Sequence, residues 1–235
     1  MLRFALGPIP VRIHWSALVL ALFAWNSGFQ GVEIAVFTGV AILSVLIHEL
    51  GHAVAARSFS GEAMVTLYAL GGVTRMVPTT PFTNGQGFII SAAGSAVEIV
   101  AGMVVWLAAR QGLFGTAAET SADGTFGAMI GFAIGQGDLL ALGVAVFIWV
   151  SVVWGIFNWV PIRGLDGHHM LARILDATLP PKPSVITLRV ISIVVGLGVA
   201  VWAWTSGQRF VALFVLLLTF SDVFPRAVGS VAGGR

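Results

Sequence analysis

Long apolar stretches with few internal charges dominate the chain. Six of them are apolar enough to predict membrane-spanning helices, at residues 13–29, 34–56, 86–109, 139–160, 185–205 and 209–224. A helix needs about 20 residues to cross the hydrocarbon core. The first and last stretches are short, so we expect them to tilt or to lie partly at the interface. The pattern predicts a membrane all-α fold with about six transmembrane helices.

The connection after the second apolar stretch does not have a helical pattern. Residues 65–68 favour a strand, Gly71 and Gly72 indicate a turn, and residues 73–77 favour a returning strand. Such an apolar hairpin is tolerated at the membrane boundary when it packs on protein. We therefore expect a small membrane-associated β-hairpin after the second span.

A second connection, residues 157–175, breaks the helical pattern at membrane depth. Pro161 and Gly164 interrupt it, and residues 165–178 resume as a short amphipathic helix. The glycine-rich connection 111–138 has no such pattern and is expected to be a loop.

Composition supports a membrane protein and restricts its metal chemistry. The 235 residues are 57% hydrophobic and 9% charged, with a mean hydropathy of +0.96, whereas a soluble domain has about a quarter charged residues. There is no cysteine, so a zinc ion would need histidine and carboxylate ligands. We expect one integral-membrane domain over 1–235, with a core at about 8–175, additional C-terminal helices at 185–224 and an uncleaved first helix.

The basic residues predict an orientation. With six spans and the N-terminus inside, the outside segments hold Arg110 and Arg209 alone. The inside segments then hold Arg3, Arg12, Arg57, Arg75, Arg163, Arg173, Lys182, Arg189, Arg226 and Arg235. Because cytoplasmic segments are enriched in Lys and Arg, both termini are predicted to be cytoplasmic.

The second span contains the motif His48-Glu49-Leu50-Gly51-His52. On a helix, residues four apart share one face, so His48 and His52 can bind one metal ion while Glu49 acts as general base. The alternative is a set of buried polar groups satisfied by neighbouring helices. Ionisable groups inside a membrane span are costly and usually functional, so we favour the metal site.

Two histidines leave a catalytic zinc one protein ligand short. Asp166 is the candidate, because it follows the helix break at a depth comparable to that of His48 and is flanked by Gly164 and Gly167. Asp166 could equally cap the following helix. The physical pattern alone leaves the two roles of Asp166 open.

These motifs together resemble a known family. The HELGH motif, followed by Asn158, Pro161 and Leu165-Asp166-Gly167 in the order N-x-x-P-x-x-x-L-D-G, resembles the site-2 protease family of intramembrane zinc metalloproteases, peptidase family M50. The segments IPVRIHWSALVL and LYALGGVTRM are similar to the bacterial branch that processes a sporulation pro-sigma factor, in a form without a CBS or PDZ domain. The resemblance covers about residues 8–175.

The resemblance implies site roles. One catalytic Zn²⁺ would be held by His48, His52 and Asp166, with Glu49 as the base. Asn158 and Pro161, together with Gly167, would position the substrate or the Asp166 loop. The third helix departs from the family's A-G-P-x-x-N, since Ser95 replaces the proline and Glu98 replaces the asparagine, and His168 follows Gly167 where the family often has a second glycine.

Three further features have open roles. Glu98 is an intramembrane carboxylate, either protonated and hydrogen-bonded or an outer partner of the metal ligands. His14 is either a headgroup-level histidine or a contact near the mouth of the site. Gly71 and Gly72 belong to a hairpin that could offer a strand edge to an extended substrate.

The function predicted from these observations is hydrolysis of peptide bonds within or next to transmembrane segments, as in regulated intramembrane proteolysis. The expected partners are a single-span or membrane-embedded protein substrate and the lipid bilayer, with no nucleic acid, and the expected location is a prokaryotic plasma membrane. The sequence does not indicate an oligomeric state. A membrane metal carrier and a catalytically inactive relative are the alternatives, but spans five and six offer a carrier few polar residues.

Overall fold

The fold is that of a computed structural model that describes residues 1–69, 71–124 and 128–221. In this part of the chain, helices predominate and a small sheet lies at the N-terminal end. The strands are β1 (Leu2–Leu6), β2 (Ile9–Ile13), β3 (Gly61–Tyr68) and β4 (Gly71–Pro78). The helices are α1 (Trp15–Asn26), α2 (Val32–Ser58), α3 (Asn84–Arg110), α4 (Thr116–Asp123), α5 (Met129–Gln136), α6 (Leu139–Phe157), α7 (Asp166–Thr178), α8 (Pro181–Thr205) and α9 (Arg209–Thr219).

Four helices, α2, α3, α6 and α8, are long and apolar enough to cross a membrane. They correspond to four of the six predicted spans. Helices α1 and α9 are apolar but much shorter, and at 1.5 Å per residue each extends less than about 20 Å of the ~30 Å core. The count of six spans therefore stays a prediction. Residues 222–224 of the last predicted span, and Arg226 and Arg235, lie outside the described residues.

The described residues form a four-stranded sheet in the order β1-β2-β3-β4, and its first two strands come before the predicted first span. Strand β2 pairs with β3 in parallel, with Val11 opposite Val65, and both hairpins are antiparallel. The helix predicted from about residue 13 begins at Trp15. Strand β2 before it was not predicted, although Ile9 and Val11 bury one face of that strand. Their period-two alternation is visible in the sequence.

The sheet packs on the C-terminal half of α2. Val11, Val65 and Leu67 are fully buried and form a cluster with Ala53 of α2. Alternate β3 residues face this cluster, as the burial pattern of Gly61–Tyr68 requires. The sheet is thereby held against the helix that contains the HELGH motif.

The β3–β4 hairpin confirms the predicted strands but not the predicted turn. Tyr68 pairs with Gly71, and Leu67 pairs with Gly72, so both glycines belong to β4 and the connection lies between Tyr68 and Gly71. Gly72 is needed for a different reason. A Cβ at this position would overlap the side chain of Glu49.

Helix α6 contains a π-helical turn at Val150–Trp154. Its buried face packs in the main apolar cluster of the chain, which includes Phe37 of α2 and Met129 of α5. The connection 111–138, expected to be a loop, contains the short helices α4 and α5 within its described residues. Ala118 and Ala133 are fully buried, so small side chains that give little sequence signal allow this packing.

The chain divides into two compact units, Met1–Asn158 and a second that begins at Trp159. The division falls at the predicted helix break. Helix α6 ends at Phe157 and α7 begins at Asp166, which confirms the break at Pro161 and Gly164. Gly164 has a φ of +86°, a backbone conformation that favours glycine.

Candidate metal centre

His48 and His52 lie one helical turn apart on α2, as their spacing predicts. Both are more than nine-tenths buried. Their rings stand nearly perpendicular, with centroids 4.8 Å apart, and their Nε2 atoms are 3.1 Å apart. Helix α2 therefore directs two imidazole nitrogens to one point in the apolar interior.

The second nitrogen of each ring contacts α3. His52 Nδ1 lies 2.7 Å from the carbonyl oxygen of Ile90, which can only accept, so His52 donates through Nδ1. His48 Nδ1 lies 2.9 Å from Oε2 of Glu98, and an ionised carboxylate likewise accepts. These partners assign the Nδ1–H tautomer to both rings when they are neutral.

The tautomers leave a lone pair on both Nε2 atoms. Two acceptors at 3.1 Å cannot hydrogen-bond to each other, but they can share a cation. Two nitrogens bound to one tetrahedral Zn²⁺ at 2.0–2.1 Å are about 3.3 Å apart. The histidine pair therefore has the separation of two metal ligands.

Glu49 lies beside this pair and is held by β4. The Thr74 hydroxyl is 2.7 Å from Oε2 of Glu49 and 3.0 Å from the Glu49 carbonyl oxygen. A Cβ at Gly72 would overlap the Glu49 side chain, so glycine lets β4 approach the carboxylate. Thr74 therefore binds Oε2, and Oε1 is the carboxylate oxygen that it does not bind.

Glu98 is 1% exposed and contacts the first histidine directly. Its other oxygen, Oε1, accepts from the hydroxyl of Ser44, 2.7 Å away. Glu98 is a hydrogen-bond partner of His48, and each of its two oxygens has a different partner. The role of Glu98 towards a metal stays a prediction.

Asp166 belongs to the second unit, where it is the first residue of α7. The preceding segment folds tightly, because a Cβ at Gly167 would overlap the backbone of Trp159 and Val160. The Arg163 N–H donates to Ser192 of α8 at 2.8 Å. Close backbone packing therefore fixes the position of Asp166, and Gly167 is required for it.

The remaining predicted residues have mainly structural contacts. His14 accepts from the backbone N–H of Ser16 at the start of α1, and Ser16 Oγ accepts from Ala69 after β3. Asn158 follows α6 directly, bonded to the carbonyl of Trp154, and Pro161 lies in the connecting segment. Their predicted substrate contacts stay predictions.

Comparison with known proteins gives the family. The model of peptidase family M50 matches residues 36–203, 168 of the chain's 235 residues. The chain belongs to peptidase family M50. The matched M50 segment contains the HELGH motif, Glu98 and Asp166. A comparison with curated proteins gave no match.

The M50 chain is also similar to a solved structure, the site-2 protease from Methanocaldococcus jannaschii. The two are 20% identical, the match covers 100% of this chain and 99% of the other, and the TM-score is 0.61. This likeness shows a shared fold. Together with the apolar helices, it indicates that this M50 member is an integral membrane protein with a metallopeptidase fold.

The sequence did not reveal every residue of the centre. Thr74 gives no sequence signal, since it is one of several threonines in a β-rich segment. The carbonyl of Ile90 is a backbone group and carries no side-chain signal at all. Glu98 was detectable, because a carboxylate within an apolar span is unusual.

Proposed function

We propose that this M50 member is an intramembrane zinc metalloprotease that cleaves peptide bonds within or next to transmembrane segments of membrane proteins. The observation that carries the proposal is the pair of Nε2 atoms 3.1 Å apart, next to a buried Glu49, on an apolar helix. A buried base beside two metal-ligand nitrogens is the arrangement of a metallopeptidase site. Regulated proteolysis of a single-span substrate is the biological process that we propose for it.

We infer that one Zn²⁺ is held by His48, His52 and Asp166. Each of these residues offers one ligand atom, two imidazole nitrogens and one carboxylate oxygen. This donor set suits zinc and leaves a fourth position for water, and the chain has no cysteine to offer instead. The Nδ1–H tautomers of the two histidines support the same inference, because they present both Nε2 lone pairs.

When bound, zinc lowers the pKa of water and polarises a carbonyl. The residues of the chain supply the proton transfer. Glu49 accepts the water proton at Oε1 and delivers it to the leaving amine, while Thr74 holds Oε2 and restricts rotation of the carboxylate. Glu49 is 6% exposed, so its side chain is largely shielded from bulk water.

The substrate is proposed to bind in extended form along β4. Thr74 and Gly72 of β4 contact Glu49 directly, and β4 is the last strand of the sheet order. A sheet edge can pair with the backbone of an unwound segment. Gly71 would belong to this edge, while Asn158 and Pro161 would contact the substrate from the helix break and His14 would lie near the entry.

We propose that the site opens to the cytoplasm of a prokaryotic cell and that both termini are cytoplasmic. The support is the excess of basic residues in the segments assigned to the inside. Arg57, in the last turn of α2, lies on the same end of the helix as His52.

A pair of variants tests the proposal. Glu49→Gln should retain bound zinc and lose cleavage of single-span peptides in detergent, because glutamine cannot accept the proton. Asp166→Ala should bind zinc more weakly, because a ligand is lost. Zinc content is measured by elemental analysis and cleavage by mass spectrometry of the peptides.

Glu62→Gln is the matched control. It removes a carboxylate from the exposed face of β3 and should leave zinc content and cleavage unchanged. Full cleavage by Glu49→Gln would rule out the mechanism, and unchanged zinc affinity in Asp166→Ala would rule out the third ligand.

A further inference from the structure

A buried polar network continues from the metal centre into the interior of the first unit. It joins His48 and Ser44 of α2, Glu98 of α3 and Ser151 of α6. The Ser44 hydroxyl lies 2.9 Å from that of Ser151 and 2.7 Å from Glu98. Ser44 and Ser151 are fully buried.

The direction of the hydrogen bonds follows from the chemistry of the groups. Glu98 accepts from His48 at Oε2 and from Ser44 at Oε1. Since Ser44 uses its single proton on Glu98, it accepts from Ser151. The donors therefore converge on the Glu98 carboxylate, and each of its oxygens is held from a different direction.

The backbone is adapted to form this network. Ser151 lies in the π-helical turn of α6, and such turns occur often at functional sites. Gly102 of α3 faces the same turn, where a Cβ would lie 2.8 Å from Cβ of Ser151. The glycine thus permits α3 to approach the turn that provides the hydroxyl.

We propose that Glu98 is a positioning residue for the metal, and that Ser44 and Ser151 in turn position Glu98. Glu98 keeps His48 in the Nδ1–H tautomer, directs its Nε2 towards that of His52, and through its charge makes His48 a better ligand. The proposal rests on the proposed zinc function. Through Ser151, the π-helical turn of α6 is proposed to influence metal affinity by holding Ser44 and Glu98, and not by contact with a metal-binding residue.

Zinc affinity of the purified full-length chain, measured by competition with a chromogenic chelator, tests this role. Glu98→Leu removes the acceptor and the charge, and should weaken zinc binding by about 10- to 100-fold. Glu98→Gln can still accept from His48 and donate to Ser44, but it lacks the charge. The zinc affinity of Glu98→Gln should be about 10-fold below that of the wild type and above that of Glu98→Leu. Ser151→Ala should bind zinc measurably more weakly than the wild type.

Nitrogen-15 NMR of the histidine rings supplies a readout that a purely structural role would not change. The wild type and Glu98→Gln should show the His48 resonances of the Nδ1–H tautomer, assigned with His48→Gln. Glu98→Leu should show a tautomer mixture in the metal-free protein. A single unchanged tautomer in Glu98→Leu would overturn the proposal.

Thr38→Val is the matched control for affinity. It removes another buried hydroxyl from α2, one that donates to the carbonyl of Ile34 within the same helix, and should bind zinc as the wild type does. If Glu98→Leu does not fold, judged by size-exclusion chromatography, Glu98→Gln decides, and wild-type affinity in that variant overturns the proposal. Failure of the wild type to bind zinc would instead refute the proposed function.

Discussion

His48 and Glu98 are joined by a 2.9 Å hydrogen bond between Nδ1 and Oε2, which connects α3 to the HELGH motif. A second hydrogen bond from α3 joins His52 Nδ1 to the Ile90 carbonyl. Ile90, Gly94 and Glu98 are spaced by four, so they share one face of α3. Helix α2 supplies the two nitrogens, and this face of α3 sets their orientation.

The first prediction concerns Gly94, midway between the two α3 groups that hold the histidines. A Cβ there would overlap the His52 imidazole ring, so the ring must move in Gly94→Ala. Overpacking of this kind costs about 1–3 kcal/mol. We expect zinc affinity to fall by about 10-fold or more, since 1.4 kcal/mol corresponds to a factor of ten.

Gly39→Ala is the control for Gly94→Ala, because it adds the same methyl group to α2 where no atom lies within 4 Å. The chelator competition described for Glu98 applies to both variants. Equal affinities for Gly94→Ala and Gly39→Ala would contradict the close contact between α3 and the His52 ring.

The second prediction concerns Thr74, which holds the general base through its hydroxyl. Thr74→Val keeps the shape but removes the donor, so Glu49 becomes free to rotate. A hydrogen bond to a charged group contributes about 1.5–3 kcal/mol, and we expect kcat to fall by about 10-fold or more. Zinc content should be unchanged, because Thr74 contacts the base.

Thr74→Ser restores the hydroxyl and should recover most of the activity. Thr79→Val is the control for hydroxyl loss, since Thr79 donates to the Ser60 carbonyl beyond the other end of the hairpin. A raised KM with an unchanged kcat in Thr74→Val would show that Thr74 acts on substrate binding and not on Glu49.

The sequence indicates a candidate centre because the metal-binding residue types are concentrated in short motifs. The four-residue spacing of His48 and His52 fixes a shared helix face, and a carboxylate in an apolar span marks Glu98 as unusual. Gly72 was assigned to a turn because glycine pairs are typical of hairpins. Its actual constraint is the side chain of Glu49, which approaches from a distant part of the chain.

The N-terminal strands were missed for a comparable reason. Residues 9–13 alternate as a strand does, but they lie just before the first apolar stretch, and no strand was predicted there. Their partner is β3, more than fifty residues later, and local pattern does not specify that pairing. Likewise, nothing in the sequence indicates that Ser151 lies in a π-helical turn.

The third prediction uses Tyr68, the chain's single tyrosine. Burial raises the pKa of Tyr68 above its ordinary 10.0, and the negative charge of Glu49 raises it further. Glu49→Gln should therefore lower the Tyr68 pKa. Tyrosinate absorbance reports this residue alone, so a pH titration measures the difference between the two proteins.

The raised pKa of Tyr68 also makes the stability of the fold depend on pH. Because the folded pKa of Tyr68 is above the unfolded value, its contribution is present below pH 10 and is lost as pH rises through the folded pKa. Tyr68→Phe should remove this part of the alkaline loss of stability. Identical titrations of wild type and Glu49→Gln would contradict the electrostatic contact between Glu49 and Tyr68.

The last prediction concerns the free edge of β4 and the proposed extended substrate. Tyr68 and Gly71 flank a two-residue connection, and such residues form a hydrogen-bonded pair in a tight hairpin. By alternation, the N–H of Met76 points to the outer edge. Met76→Pro removes that donor and should reduce kcat/KM for single-span peptides by roughly 10-fold, with zinc content unchanged. Met76→Ala removes the side chain but keeps the N–H, so it should cleave at nearly the wild-type rate; equal cleavage by the two variants would show that the substrate does not pair with this edge.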